Sequence, residues 1–156
     1  MGKYAATTGV ASDQTRVHLE STLLRYGADS VGVITKRDAA MVLFEFKGLG
    51  IRIEAPLPAR EDFVTTGTGR ERRGEAADRA YDQAVKQRWR VLLLAIKAKL
   101  EVVECGISTV ETEFMPFVVM KDGRTMAQHV LPLLAEAGNQ GSRLKQLPNL
   151  ALGEVG

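Results

Sequence analysis

Between Glu75 and Cys105 the chain runs for roughly 30 residues without a glycine or a proline, and no other uninterrupted stretch of it approaches that length. At about 1.5 Å per residue this predicts a helix of about 45 Å, far longer than the mean helix of a globular domain. Within it Val85, Trp89, Leu92, Ile96, Leu100 and Val103 recur at helical spacing, so one face is apolar along its whole length and needs a surface to cover. Trp89 belongs to that stripe and reads as a core residue rather than as a platform for a stacked base.

The surface it covers is predicted from residues 30–58. Three β-type runs, SVGVITK, AAMVLFEFK and GIRIEAPLP, are separated by Lys36-Arg37-Asp38 and by Gly48-Leu49-Gly50, connections of hairpin size. In the second run Ala40, Val42, Phe44 and Phe46 share a face. In the third, Ile51, Ile53, Ala55 and Leu57 alternate with Arg52, Glu54 and Pro56, and Pro56 and Pro58 end the ladder because proline lacks the backbone donor. An antiparallel meander with one dry face follows. Before it, Lys3 to Val10 reads as an extended arm, and Ser12 or Asp13 caps a helix whose stripe is Leu19, Leu23 and Tyr26 and whose stop is Gly27.

After Gly106, Ser108 with Glu111 and Thr125 with Gln128 both have the spacing of a capping box, predicting two short C-terminal helices. In the second, Met126, Val130 and Leu134 lie on one side, Pro132 bends it and Gly138 stops it. The expected fold is therefore α+β: a helix, a three-stranded antiparallel meander, a long helix packed on the sheet and two short helices. It forms a single domain over residues 1–138, with a mobile loop at 58–74 and a C-terminal tail at 139–156 that is loose or docks on a neighbouring subunit.

The 156 residues are 45% apolar and 26% charged, which excludes a wholly disordered chain. No apolar run reaches the roughly 20 residues that span a bilayer, and the opening MGKYAATTGV lacks the order of a secretory signal. The single cysteine, Cys105, and two histidines exclude an internal disulfide and a cysteine-built zinc site. Gly67-Thr68-Gly69 lacks the lysine and hydroxyl of a phosphate loop. His18 and His129 have no recognisable nucleophile, and Glu111, of the acids Glu111, Glu113 and Asp122, is better explained as a cap. The chain reads as a non-enzyme without a cofactor or metal.

Charge is the remaining signal. The net charge is only +2, yet residues 70–99 hold nine basic and four acidic side chains, while residues 100–156 hold four and seven. On a helical wheel Arg72, Arg79, Lys86, Arg90 and Lys97 fall within about 40°, because steps of seven and four nearly close whole turns. Between Asp82 and Glu101 there is no carboxylate, so the middle of this row lacks local partners. A rigid row of cations suits a polyanion, since each neutralised phosphate releases counterions.

The segments KYAATTGV, LLRYGADSVGV, AMVLFEFKG, QRWRVLLLAIKAKLEVVE and KDGRT resemble a group of short, uncharacterised proteins encoded by phages and prophages, over most of residues 3–135. The resemblance implies phage origin and expression in the host cytoplasm, and it supplies no catalytic residue. The order of elements is similar to the β-β-β-α core of Rad52-type single-strand annealing proteins, an analogy of fold without a shared motif. That resemblance implies a ring or filament of identical subunits and single-stranded DNA lying along a groove, with Arg72, Arg73, Arg79, Lys86, Arg90 and Lys97 as its contacts. The alternative is an oligomeric counter-defence or host-interaction protein that binds a bacterial immune protein or a nucleotide signal, or an assembly component. Val91, Leu94 and Val102, outside the main apolar stripe, also point to a homo-oligomer or to cover by the C-terminal helices.

Overall fold

Helix α1 spans Lys3–Arg25 in the computed structural model, which describes residues 3–71 and 74–139 and the side chains of 13–71 and 74–138. The expected extended arm at Lys3 to Val10 is thus corrected, and Ser12 and Asp13 lie inside the helix rather than capping it. Ala5, Ala6 and Ala11 are strong helix formers and no proline intervenes, so Gly9, costing about 1 kcal/mol, does not interrupt the run. The helix ends as its sequence predicts. Gly27 takes φ +100°, its N–H bonds the Leu24 carbonyl at 3.1 Å, and the Ala28 N–H bonds that of Leu23 at 3.0 Å. This paired closure satisfies two orphan carbonyls and needs a residue that tolerates positive φ.

The sheet has the order β1 (Ser30–Thr35), β2 (Ala39–Phe46), β3 (Leu49–Pro56), both pairings antiparallel, with Val33 opposite Val42 and Val42 opposite Ile53. The first turn is Arg37-Asp38, closed by Lys36 N–H on the Ala39 carbonyl at 2.8 Å. The second is Lys47-Gly48, with φ of 51° and 76°, and not Gly48-Leu49-Gly50. Two consecutive positive φ values match the right-handed twist of a hairpin, which moves Leu49 and Gly50 into β3.

Helix α2 spans Gly74–Glu104 and lays Val85, Trp89, Leu92, Ile96 and Leu100 on the face formed by Ala40, Val42, Phe44, Phe46, Ile51 and Ile53. Leu19 and Leu23 of α1 enter the same core. Between β3 and α2, where the sequence has no period, stand one 3₁₀ turn at Arg60–Phe63 and an isolated bridge between Thr65 and Glu71. Residues 72 and 73 and the tail from residue 140 lie outside the described residues.

Helix α3 (Val110–Phe114) is capped by Thr109, not by Ser108: the Thr109 hydroxyl accepts the Thr112 N–H at 3.3 Å. Glu111 is instead held below the usual carboxylate range by its own backbone N–H and then by the Thr109 hydroxyl. Phe114 meets Phe44 edge to face with centroids 5.5 Å apart. The next segment turns back to the sheet. Val118 bridges Ile51, and the Val119 N–H bonds the Gly50 carbonyl at 2.8 Å, so the β3 edge is covered. Helix α4 (Met126–Asn139) opens with the expected reciprocal Thr125–Gln128 box, with bonds of 2.9 and 3.4 Å. It contains Pro132 and runs past Gly138, which does not stop it. Met126 and Val130 are half-buried while Leu134 is exposed, so only the first turns of the expected apolar side pack.

One core group is out of place chemically. Thr22 is 2% exposed and its hydroxyl has no hydrogen-bond partner among the described residues. A buried unsatisfied hydroxyl costs about 1–3 kcal/mol, so Thr22→Val, which keeps the shape, is expected to raise stability by about 1 kcal/mol in urea denaturation. A loss of stability would mean that the hydroxyl is bonded.

Candidate nucleic-acid interface

The cations of α2 are positioned by what lies behind them. Because Trp89, Ile96 and Leu100 are each 1% exposed, the helix cannot rotate about its axis, and every other side chain on it is fixed in direction. From Arg79 to Lys97 the row covers 18 steps, about 27 Å.

Its four described members differ in surroundings. Arg79 is exposed and turns back on its own helix, with Nε on the Glu75 carbonyl at 3.3 Å and the guanidinium 3.9 Å from the Glu75 carboxylate. That pair is exposed and i,i+4, a class worth about 0.3–0.5 kcal/mol, so a phosphate displaces the carboxylate at little cost. Arg90 is exposed, while Lys86 and Lys97 are half-buried along their stems. None of these three makes an ion pair among the described residues. Arg72 and Arg73 lie outside the described residues.

Two contacts fix which flank the row occupies. Lys99, two residues beyond Lys97 and about 200° round the helix, reaches Glu113 at the end of α3, with Nζ 3.4 Å from the carboxylate and 3.1 Å from the backbone carbonyl. Glu101, one turn beyond Lys97 on nearly the same line, accepts the Tyr26 hydroxyl just after α1. The row therefore faces the α1 side, away from α3. Lys99 is spent on holding α3.

The same contacts bring in a residue that sequence reasoning missed. The Arg25 guanidinium lies over the Tyr26 ring, 5.5 Å from its centroid, so a further cation and a half-exposed aromatic stand at the C-terminal end of the row. The Glu101 carboxylate, more than burial, pushes the Tyr26 hydroxyl pKa up. Residues 75 positions apart in sequence form this corner, and no local signal announces it.

The other candidates resolve into local structure. His129 stands 3.0 Å from the Asp122 carboxylate, which is held below the usual range first by the Arg124 backbone N–H and then by His129. The pair braces the turn before α4, with Arg124 also donating to the Gln128 carbonyl at 2.7 Å. No three His, Cys, Asp or Glu side chains converge in metal-binding range among the described residues. A cleft of about 390 Å³ between the β1–β2 turn and the Arg60–Phe63 turn mixes Arg37 and Arg60 with Asp38 and Glu61, and Arg60 is already paired with Asp78. Its signs cancel, which disfavours a phosphate there. Among the described residues no helix is long and apolar enough to cross a membrane.

No family model, no curated protein and no solved structure matches the chain.

Proposed function

We propose that this protein binds single-stranded nucleic acid through the phosphates, with little base readout, in the manner of a single-strand annealing protein. The observation that carries the reading is the row Lys86, Arg90 and Lys97: three cations without ion-pair partners among the described residues, on one line of a helix whose apolar face, about 100° round from the row, is locked in the core. Arg79 extends the row at one end, and Arg25 with Tyr26 at the other. Cations that track a backbone beside an aromatic group are the usual means of sequence-tolerant single-strand binding. The order helix, meander, long helix, which resembles that of Rad52-type annealing proteins, adds support of a weaker kind.

The experiment is fluorescence anisotropy with labelled single-stranded oligonucleotides of different base composition, against a duplex. Similar affinity for all single strands, falling steeply between about 50 and 200 mM salt, is expected. Absence of binding at about 50 mM salt, or affinity indifferent to salt, overturns the reading. A second reading, a module that binds a host protein, is favoured by Leu131, Leu133 and Leu134, which stand 60, 62 and 59% exposed on α4. Failure of nucleic-acid binding moves the support to it.

A further inference from the structure

A row of cations does not by itself tell a single strand from a duplex. Duplex DNA carries its phosphates more densely, and each contact contributes about 0.9 to its salt slope against about 0.7 for a single strand, so charge alone favours the duplex. What an unpaired strand adds is an open base face, which stacks on an aromatic ring or on the plane of an arginine guanidinium. Most of the described aromatic groups are out of reach of the row. Phe44, Phe46, Trp89 and Phe114 are at most 5% exposed, and Phe117 follows α3 on the other flank. Tyr81, edge to face with Phe63, lies about 160° round α2 from Lys97. Among the described residues, Tyr26 is the aromatic group that flanks the row.

The phosphate track also ends at this corner. Glu101 and Glu104 follow Lys97 within about 40° of its line, so a phosphate is repelled beyond that point, and Lys99 is held by Glu113. The cation left beyond Lys97 is Arg25 of α1, exposed and without an ion pair among the described residues. It lies over the Tyr26 ring, and that ring is set in place by its contact with the core and by its hydroxyl on Glu101. We propose that Arg25 on Tyr26 is a stacking site for an unpaired base, and that this corner makes the protein select single strands over duplex. Tyr26 is the positioning residue. The exposed guanidinium takes the base, stacking by its plane where a lysine offers only a point charge. The inference rests on the reading of Lys86, Arg90 and Lys97 as a phosphate track, and it gives that track its substrate class. Stacking tolerates any base, so it adds no sequence readout.

Arg25→Lys tests it, because it keeps the charge, removes the plane and changes an exposed side chain that leaves the melting profile of the chain intact. Affinities for a single strand and for a duplex of the same sequence are measured by anisotropy at several salt concentrations. The native chain is expected to bind the single strand about 10-fold more tightly than the duplex. Arg25→Lys is expected to lose about 10-fold on the single strand, within the range for one stacked base, with duplex affinity and salt slope unchanged. Tyr26→Phe, which keeps the ring and loses the bond to Glu101, is expected to retain most of the preference, and Tyr26→Leu to behave as Arg25→Lys does. If Arg25→Lys binds single strands as the native chain does, or loses single strand and duplex equally, the stacking site is overturned and the phosphate track stands. A native chain that binds both forms but prefers neither, or prefers the duplex, also overturns it. A native chain that binds no nucleic acid overturns the track and the stacking site together.

Discussion

Trp89→Ala is expected to cost about 3–5 kcal/mol, the range for removing a large buried aromatic, and to lower the melting temperature by roughly 10–20 °C. The reason lies in position as well as size. Trp89 is 1% exposed at the middle of α2, where the helix crosses the sheet, and the core cluster around it includes Val42, Phe44 and Ile96. A domain of this size has about 5–15 kcal/mol in total, so the variant is expected to populate unfolded chains at moderate temperature. Trp89→Phe, which retains most of the ring volume, is expected to lose much less. Val91→Ala, two residues on but 56% exposed, is expected to stay within about 0.5 kcal/mol. Denaturation followed by far-ultraviolet circular dichroism measures all three, since Trp89 is the chain's single tryptophan and its removal abolishes the fluorescence signal. A loss below about 1 kcal/mol for Trp89→Ala would contradict the burial of this face.

What the sequence made legible follows from where its signals are local. The core stripe of α2, the alternation of Val42, Phe44 and Phe46, the stop at Gly27 and the Thr125–Gln128 box each need only a few neighbouring residues, and each is found as expected. The departures arise where two local preferences compete. Thr109 and Ser108 are both good caps, and the choice fell to the one whose hydroxyl reaches the Thr112 N–H. Lys47 was an unpromising residue for positive φ, yet the register of Phe46 against Leu49 requires it there. The pairing of Val118 and Val119 with the edge of β3 joins segments far apart in the chain, and no period marks it.

The candidate site divides in the same way. That Arg79, Lys86, Arg90 and Lys97 share a line follows from helical spacing alone. The flank they occupy does not, because it is set by Tyr26 on Glu101 and by Lys99 on Glu113, contacts between elements. The same contacts separate Lys99, a cation with a structural partner, from Lys97, which has none among the described residues. Leu94 and Val91, noted in the sequence as apolar residues outside the main stripe, are covered by no helix of the described chain.

For the row itself, replacing Lys86, Arg90 and Lys97 together by glutamine is expected to weaken single-strand binding about 100-fold at 0.1 M salt. Each phosphate contact contributes about 0.7 to the slope of log K against log salt on single strands, and over one decade below 1 M three contacts amount to about two decades of affinity. The side chains make no ion pairs among the described residues, so the variant is expected to keep the native melting profile. Loss should be equal for oligonucleotides of different composition, because the contacts are to the backbone. Glutamine at Lys99 alone is expected to leave binding unchanged and to loosen α3, since its partner is Glu113.

The salt slope is the measurement that bears most directly on the account. Anisotropy titrations of the native chain and of the triple glutamine variant, each at several salt concentrations, give two slopes whose difference counts the phosphate contacts made by the row. A difference of about two is expected, with the steeper slope for the native chain. Equal slopes, with the variant folded and binding as well as the native chain, would contradict the assignment of α2 as the nucleic-acid face.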